Sequence, residues 1–275
     1  MTSGKKMRSE QQAHWRKVFS EDSAFFGEEA SDFAKQALEL FQRESVQSVL
    51  DLGCGQGRDT FMFARHGISV TALDYAETAV VAVREKAAVT GLSPLVVAKV
   101  HDVRRPLPFP DDSFDACYSH MLLCMELSTT EIAFALGEIH RVLRPGGLAV
   151  YSVRSDLDKH YRAGIHLGED IYKIGGFAVH FFTDGKIRKL ARGYEVLSIN
   201  RLEEGSLPRD LYCVTMKKIA IVDLPRIDLY QEGNMADSLD KFQDFMDAAL
   251  APGVLDHKTK QLVALGAALA AGCDP

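Results

Sequence analysis

A glycine-rich turn that directly follows a short apolar run constrains the fold of this chain more than any other feature. The run 49–52 is typical of a buried strand, and Gly53, Gly55 and Gly57 follow it at alternate positions. Glycine tolerates positive φ and lets the backbone approach a ligand closely. The apolar stretch 60–64 then begins a helix. Strand, turn and helix N-terminus together predict a nucleotide cradle at the carboxyl edge of a parallel sheet.

The spacing of the glycines and the charge of Asp51 indicate which nucleotide the turn holds. Dinucleotide-binding turns have the pattern G-x-G-x-x-G and bind a pyrophosphate, whereas this turn reads G-x-G-x-G after Asp51. A carboxylate there repels a pyrophosphate and suits a cationic ligand such as S-adenosylmethionine. Asp74 ends the next apolar run, where a βαβ unit places an acid on ribose hydroxyls. The alternative is a purely structural turn with Asp51 as a helix cap.

Apolar runs alternate with amphipathic stretches over most of the chain, which predicts a parallel sheet covered by helices on both faces. The predicted strands are 46–52, 69–74, 95–100, 114–119, 148–153, 195–202 and 211–217. The predicted helices include 31–44 capped by Ser31, 60–66, 76–90, 130–142 capped by Thr129 or Thr130, and 183–190 capped by Thr183. Residues 154–176 are irregular and rich in His, Tyr and Gly, and a loop of that length is typically a lid or a binding loop.

Five motifs in order resemble the class I S-adenosylmethionine-dependent methyltransferases over about residues 11–218. Residues 51–57 match the first motif, Asp74 the second and 101–103 the adenine-contacting segment, while 107–115 and 143–147 match the approaches to strands four and five. The resemblance implies an α/β fold with a Rossmann-like, seven-stranded, mostly parallel sheet that ends in an antiparallel pair. It also implies S-adenosylmethionine as the cofactor.

The resemblance assigns contacts to the cofactor. Asp51 and the backbone N–H groups of the turn hold the methionine end, Asp74 takes both ribose hydroxyls, and Asp102 accepts from the adenine amino group. The full predicted set of cofactor-binding residues is Asp51, Gly53, Cys54, Gly55, Gly57, Asp74, Tyr75, Asp102, Val103 and Ser119. No metal ligand is predicted. Arg58 and Asp59 are expected to pair with each other at the start of a helix.

His120, just after the fourth strand, is the predicted catalytic residue, and the alternative is a histidine bonded to the backbone. Base-modifying methyltransferases carry Asn or Asp followed by Pro-Pro and an aromatic there, and this chain has Ser119-His120-Met121-Leu122. We therefore predict a small-molecule methyl acceptor. Residues 55–59 together with 25–27 also resemble enzymes that methylate soft S, Se or Te atoms. The rival functions are a non-catalytic cofactor-binding or regulatory module and an NAD(P)-linked oxidoreductase.

A composition break at Leu224-Pro225 predicts two domains, a methyltransferase domain at 1–222 and a helical fragment at 223–275. Residues 242–266 resemble the opening of the carboxymuconolactone decarboxylase or alkylhydroperoxidase-D-like fold. The second cysteine and the histidine of that family's redox site are absent, so redox activity is not inferred. Because that family forms helical oligomers, the resemblance favours self-association through these C-terminal helices.

Charge and hydropathy exclude other classes of partner. The net charge is −6, whereas nucleic-acid binding needs a basic face. The longest apolar run, 262–273, is too short for a bilayer, and the N-terminus lacks the apolar core of a secretory signal. The chain has five cysteines, an odd number without zinc-ligand spacing, which favours a reducing compartment. We therefore predict a cytoplasmic protein without nucleic-acid or membrane partners.

Overall fold

The computed structural model describes residues 11, 13–18, 27–205 and 209–219. The chain divides into two units, Met1–Ile219 and Ala220–Pro275, and all described residues belong to the first. The predicted boundary at 222/223, the C-terminal helices and the aromatic pair at 25–26 lie outside the described residues. They stay predictions.

Ten strands and six helices are described. The helices are α1 (residues 11 and 13–18), α2 (Asp32–Arg43), α3 (Arg58–Arg65), α4 (Glu77–Val89), α5 (Thr129–Val142) and α6 (Asp184–Leu190). The strands are β1 (Ser48–Leu52), β2 (Ser69–Asp74), β3 (Val96–Val100), β4 (Phe114–His120), β5 (Leu143–Arg154), β6 (Ile165–Gly168), β7 (Ile171–Ile174), β8 (Phe177–His180), β9 (Tyr194–Glu204) and β10 (Arg209–Lys218).

Seven strands form one sheet in the order β3-β2-β1-β4-β5-β10-β9. The first five are mutually parallel, while β10 runs antiparallel to both β5 and β9. The strand order reverses between β1 and β4, so that β1 and β4 meet at the switch point where open parallel sheets bind ligands beyond their carboxyl ends. The predicted sheet and its antiparallel pair are confirmed.

Both faces of the sheet are buried, as the helical crossovers require. Leu50 and Leu52 pack on one side in a cluster with Ile132 and Ile139 of α5. Val49 packs on the opposite side with α2 and α3. Adjacent residues of β1 therefore enter different cores, which explains why Val49 and Leu50 are apolar at consecutive positions.

Helix caps follow the sequence with one correction. Ser31 caps α2 and Thr183 caps α6, as predicted. The cap of α5, however, is Ser128 and not Thr129 or Thr130. Ser128 Oγ accepts from the amide of Glu131, while the Glu131 carboxylate accepts from the amide of Ser128. This reciprocal capping box satisfies two amides at once, which a single threonine cap does not.

The segment 154–176, predicted as an irregular loop, is irregular over 155–164 and contains two short strands after that. β5 extends to Arg154, and β6, β7 and β8 form a small antiparallel sheet. Gly175 and Gly176, at φ +58° and +90°, make the two-residue turn between β7 and β8, a position that favours left-handed residues. The sheet is fastened to the domain by Gln11 of α1, whose side-chain amide exchanges hydrogen bonds with the backbone of Ala178.

Candidate cofactor site

The glycine turn connects β1 to α3 through three residues of positive φ: Gly53 at +75°, Gly55 at +50° and Gly57 at +80°. A Cβ on Gly53 would lie 2.9 Å from Cβ of Leu122, a separation that real Cβ atoms do not show. The backbone at Gly53 is thus pressed against the segment that follows β4. Glycine is required there by both conformation and space.

The turn is locked onto β2 by its own amides. The N–H groups of Gly53 and Cys54 donate to the carbonyl of Leu73, at 2.8 and 3.1 Å, and Gly57 donates to the carbonyl of Cys54. Gly55 N–H donates to Asp74 Oδ2 at 2.9 Å. These four amides therefore have protein acceptors, and the predicted contact between turn amides and the cofactor carboxylate stays a prediction. The four hydrogen bonds make the turn rigid.

Asp74 ends β2 as a buried, oriented carboxylate. Its Oδ1 accepts from the amide of Ala76 at 2.8 Å and its Oδ2 from Gly55, and the residue is 9% exposed. Burial raises the pKa of Asp74, and backbone hydrogen bonds from Ala76, Gly55 and Tyr75 partly oppose that rise. Each oxygen keeps a second lone pair, so that the carboxylate is positioned to accept from a vicinal diol.

Asp51, in β1, is 2% exposed and accepts from the Thr60 hydroxyl at 2.5 Å, which ties β1 to α3. Burial, together with the charges of Asp59 and Asp74, raises the pKa of Asp51 to about 7, although the Thr60 hydrogen bond opposes the rise. A buried carboxylate with such a pKa is stabilised by a cation brought next to it. This property fits the ammonium group of S-adenosylmethionine.

Two adjoining clefts open beside the turn and share Tyr75, Val103 and Leu122. The first is lined by Leu52, Gly53, Leu73, Asp74, Tyr75, His101, Val103 and Leu122. The second is lined by Gln11, Tyr75, Asp102, Val103, Arg104, Leu122, Met125, Glu126 and Leu127. The structure thus brings together four predicted residues, Gly53, Asp74, Tyr75 and Val103, in one apolar cleft with a carboxylate at its end, which fits an adenosine.

Asp102 borders the second cleft, but it is already in a fork-shaped ion pair. Arg104 Nε donates to Asp102 Oδ1 at 2.9 Å and Arg104 Nη2 donates to Oδ2 at 2.8 Å. Burial would raise the pKa of Asp102, and the hydrogen bonds from Arg104 outweigh it, so that the pKa is lowered. If Asp102 accepts from the adenine amino group, its carboxylate accepts from that group and from Arg104 at the same time.

The Ser119 and Cys54 side chains both donate to backbone carbonyls, that of Cys54 to Gly55 at 3.7 Å. The Ser119 hydroxyl, on a residue 1% exposed, donates to the carbonyl of Leu52 at 3.0 Å and joins the ends of β1 and β4. Burial and the nearby charges of Asp74 and Asp51 raise the pKa of the Cys54 thiol well above its usual range. The thiol is therefore neutral at physiological pH.

His120, at the end of β4, has side-chain partners at both ring nitrogens. Nδ1 lies 2.7 Å from Ser152 Oγ, and Nε2 lies 3.0 Å from Glu204 Oε2. Arg58 Nη2 donates to Glu204 Oε1 at 3.2 Å. Burial would raise the pKa of Glu204, but His120 and Arg58 lower it overall. The motifs gave no signal for Ser152 or Glu204, because the contact joins strands 84 residues apart in sequence.

Asp59 is anchored mainly by residues other than Arg58. The Arg58 Nε–Asp59 Oδ1 distance is 3.7 Å, which agrees with the predicted pairing. Asp59 also accepts from the amide and hydroxyl of Ser31, at 2.8 and 2.9 Å, and from the Tyr118 hydroxyl at 2.8 Å. The start of α2, the start of α3 and β4 therefore meet at one buried carboxylate. Among the described residues, no group of His, Cys, Asp and Glu is arranged to hold a metal ion.

Two stretches of the chain match known families. Residues 49–147 match the methyltransferase domain family, and residues 236–275 match the carboxymuconolactone decarboxylase family. Among curated proteins, malonyl-(acyl-carrier protein) O-methyltransferase of Serratia marcescens is 30% identical over 123 residues, covering 44% of each chain. This chain thus spans less than half the length of that relative.

Solved structures agree in fold. The Burkholderia thailandensis 1,6-didemethyltoxoflavin-N1-methyltransferase, with bound 1,6-didemethyltoxoflavin and S-adenosylhomocysteine, aligns with a TM-score of 0.62 at 18% identity, covering 80% of this chain and 92% of that one. The [4+2]-cyclase SpnF aligns with a TM-score of 0.58 at 19% identity, covering 78% and 96% respectively. At such identities these likenesses show the fold alone.

The sheet order, the glycine turn and the carboxylate that ends β2 define a class I nucleotide-binding α/β domain. Residues 49–147 match the methyltransferase domain family, and residues 236–275 match the carboxymuconolactone decarboxylase family. The two predicted family resemblances and the predicted fold class are confirmed. The comparisons support the predicted enzyme class and cofactor, which are methyl transfer and S-adenosylmethionine. None of the described helices is long and apolar enough to cross a membrane.

Proposed function

We propose that this chain transfers the methyl group of S-adenosylmethionine to a small-molecule acceptor at the carboxyl edge of β4 and β5. The observation that carries the proposal is the Asp74 carboxylate, fixed by the amides of Gly55 and Ala76 at the end of an apolar cleft. A diol bound there places the adenine along Val103 and Leu122. The buried Asp51 then supplies the anion for the ammonium group.

The cofactor, when bound, supplies an electrophilic methyl group on a sulfonium. The residues of this chain contribute position and exclusion of water, which are large terms for a displacement that creates little new charge. His120 stays our proposed catalytic residue because it lies at the end of β4, beside the expected acceptor. Its ring nitrogens are bound by Ser152 and Glu204, so that accepting a proton requires one contact to open. An ionised or soft acceptor atom avoids that step.

The acceptor atom is a narrower proposal. A soft S, Se or Te atom agrees with the resemblance of residues 55–59 to enzymes of that kind. The relatives named above methylate other atoms, oxygen in the malonyl-carrier enzyme and nitrogen in the toxoflavin enzyme. A carboxyl group on a carrier-bound thioester is therefore a second acceptor to test. Self-association through 223–275 and a cytoplasmic location stay proposals from sequence.

The experiment has a binding arm and a turnover arm. Calorimetry measures S-adenosylmethionine, S-adenosylhomocysteine and NADH binding to the full chain. Methyl-labelled cofactor is then incubated with a metabolite extract, thiols, selenite, tellurite and a malonyl thioester, and labelled products are identified by mass spectrometry. A labelled product that the wild type forms and the binding-deficient Asp74→Ala control does not form supports the proposal. Tight cofactor binding without any labelled product supports the non-catalytic module instead, and NADH binding alone would support the oxidoreductase.

A further inference from the structure

Arg209 begins β10 directly opposite Glu204 in the β9–β10 ladder, and its side chain is partly buried. Burial and the guanidinium of Arg154 lower the pKa of Arg209, while Glu204 opposes that effect. Among the described residues, no carboxylate lies within the 4.0 Å ion-pair limit of its guanidinium. A partly desolvated cation without a close anion is costly, so this position favours binding of an anion.

The acids around Arg209 are engaged elsewhere. Arg154 binds Asp158 through Nη2 at 2.7 Å and through Nε at 2.9 Å. Glu204 is shared by Arg58 and His120. Within this part of the described chain, Arg209 is the guanidinium left without a salt-bridge partner.

The register places Arg209 on the acceptor side of the sheet. His120 lies opposite Ser152 in the β4–β5 ladder, and Arg154 lies opposite Leu211 in the β5–β10 ladder. Because side chains alternate along a strand, Ser152 and Arg154 share a face, and Arg209, two residues before Leu211, shares it too. His120 and Arg209 therefore border the same carboxyl edge.

We propose that Arg209 binds a carboxylate of the methyl acceptor, a group distinct from the atom that is methylated. The proposal rests on the methyltransferase function proposed above. A guanidinium matches a carboxylate through two parallel hydrogen bonds. A phosphate dianion fits less well, because Glu204 lies directly opposite and repels the second charge. The acceptor class is thus a small carboxylic acid.

The test uses simple probes on the full chain saturated with S-adenosylhomocysteine. Propionate, its neutral isostere propionamide and inorganic phosphate are titrated while the arginine Nε–Hε resonances are followed by NMR. The variants are Arg209→Gln, which loses the positive charge, and Arg209→Lys, which keeps the charge but loses the two parallel N–H donors of the guanidinium. Arg188→Gln, at an exposed ion pair on α6, is the matched control. Thermal unfolding verifies that each variant is folded.

We expect saturable propionate binding to the wild type and to Arg188→Gln, at least tenfold weaker binding to Arg209→Gln, and an intermediate result for Arg209→Lys. Propionamide should not bind, and cofactor affinity should stay within twofold. Equal propionate affinity in the wild type and both Arg209 variants, no propionate binding at all, or tighter binding of phosphate would overturn the proposal. Failure of the wild type to bind S-adenosylhomocysteine is a separate result that removes the methyltransferase function itself.

Discussion

Replacing Asp74 with alanine tests the cofactor site most directly, because one carboxylate serves both the ligand and the fold. Two ribose hydroxyls that donate to a carboxylate contribute about 1.5–3 kcal/mol each. The lower bound, about 3 kcal/mol, corresponds to roughly a 100-fold loss of affinity. Calorimetry with S-adenosylhomocysteine measures this loss.

The same substitution leaves the amides of Gly55 and Ala76 without their acceptor. Each unsatisfied buried amide costs about 1–3 kcal/mol. Burying the Asp74 carboxylate is itself costly, so that its removal offsets part of this loss. We therefore expect the free energy of unfolding to fall by about 2 kcal/mol in total. For a domain of this size that lowers the melting temperature by about 4 °C or more. Differential scanning calorimetry checks it.

Asp111→Ala is the matched control, because that carboxylate side chain is 73% exposed and lies outside the cleft. It should leave both cofactor affinity and melting temperature nearly unchanged. Unchanged affinity in folded Asp74→Ala would refute the ribose assignment. An unchanged melting temperature would refute the claim that the turn depends on this carboxylate.

Three further predictions concern neighbouring residues. Gly53→Val should reduce cofactor affinity at least tenfold by calorimetry, because φ is +75° and Leu122 occupies the space. Asp51 has a pKa of about 7, and its carboxyl group is mostly neutral below that pH. Because an ammonium ligand binds the ionised form, cofactor affinity should rise with pH between about 5.5 and 7.5, by at most tenfold per pH unit. Asp51→Asn should abolish this pH dependence. His120→Gln should lower the methyl-transfer rate by about 100-fold with cofactor affinity within twofold, measured by single-turnover kinetics.

Each of these has an opposing outcome. Normal binding by Gly53→Val would mean that the turn is displaced from the cofactor. A flat pH profile in the wild type would show that Asp51 does not face the ammonium group. Unchanged turnover by His120→Gln, with a lower melting temperature, would make His120 an anchor between β4, Ser152 and Glu204.

Elements with strong local signals were predictable from sequence. The sheet followed from alternating apolar runs, and the caps Ser31 and Thr183 followed from side chains that satisfy helix amides locally. Asp74 was placed at the end of β2 by its position after an apolar run. In each case the determining contacts lie within a few residues or within one βαβ unit.

Features that depend on distant contacts were not predictable. Nothing near Glu204 in sequence indicates that it meets His120, because that contact depends on β10 lying between β5 and β9. The acceptors of the Gly53, Cys54 and Gly55 amides were not predictable, because Leu73 and Asp74 belong to another strand. The small sheet within 154–180 was missed although the Gly175-Gly176 pair between alternating segments is a hairpin signal.

The position of β10 has a consequence for biosynthesis. β10 is the last strand of the described chain, yet it lies inside the sheet between β5 and β9. Until it emerges from the ribosome, both neighbours present unpaired backbone edges, which are templates for aggregation. Nascent chains stalled before residue 209 should therefore depend on chaperones, while chains that include β10 can close the sheet. Pulse-chase solubility of such stalled chains would show this dependence.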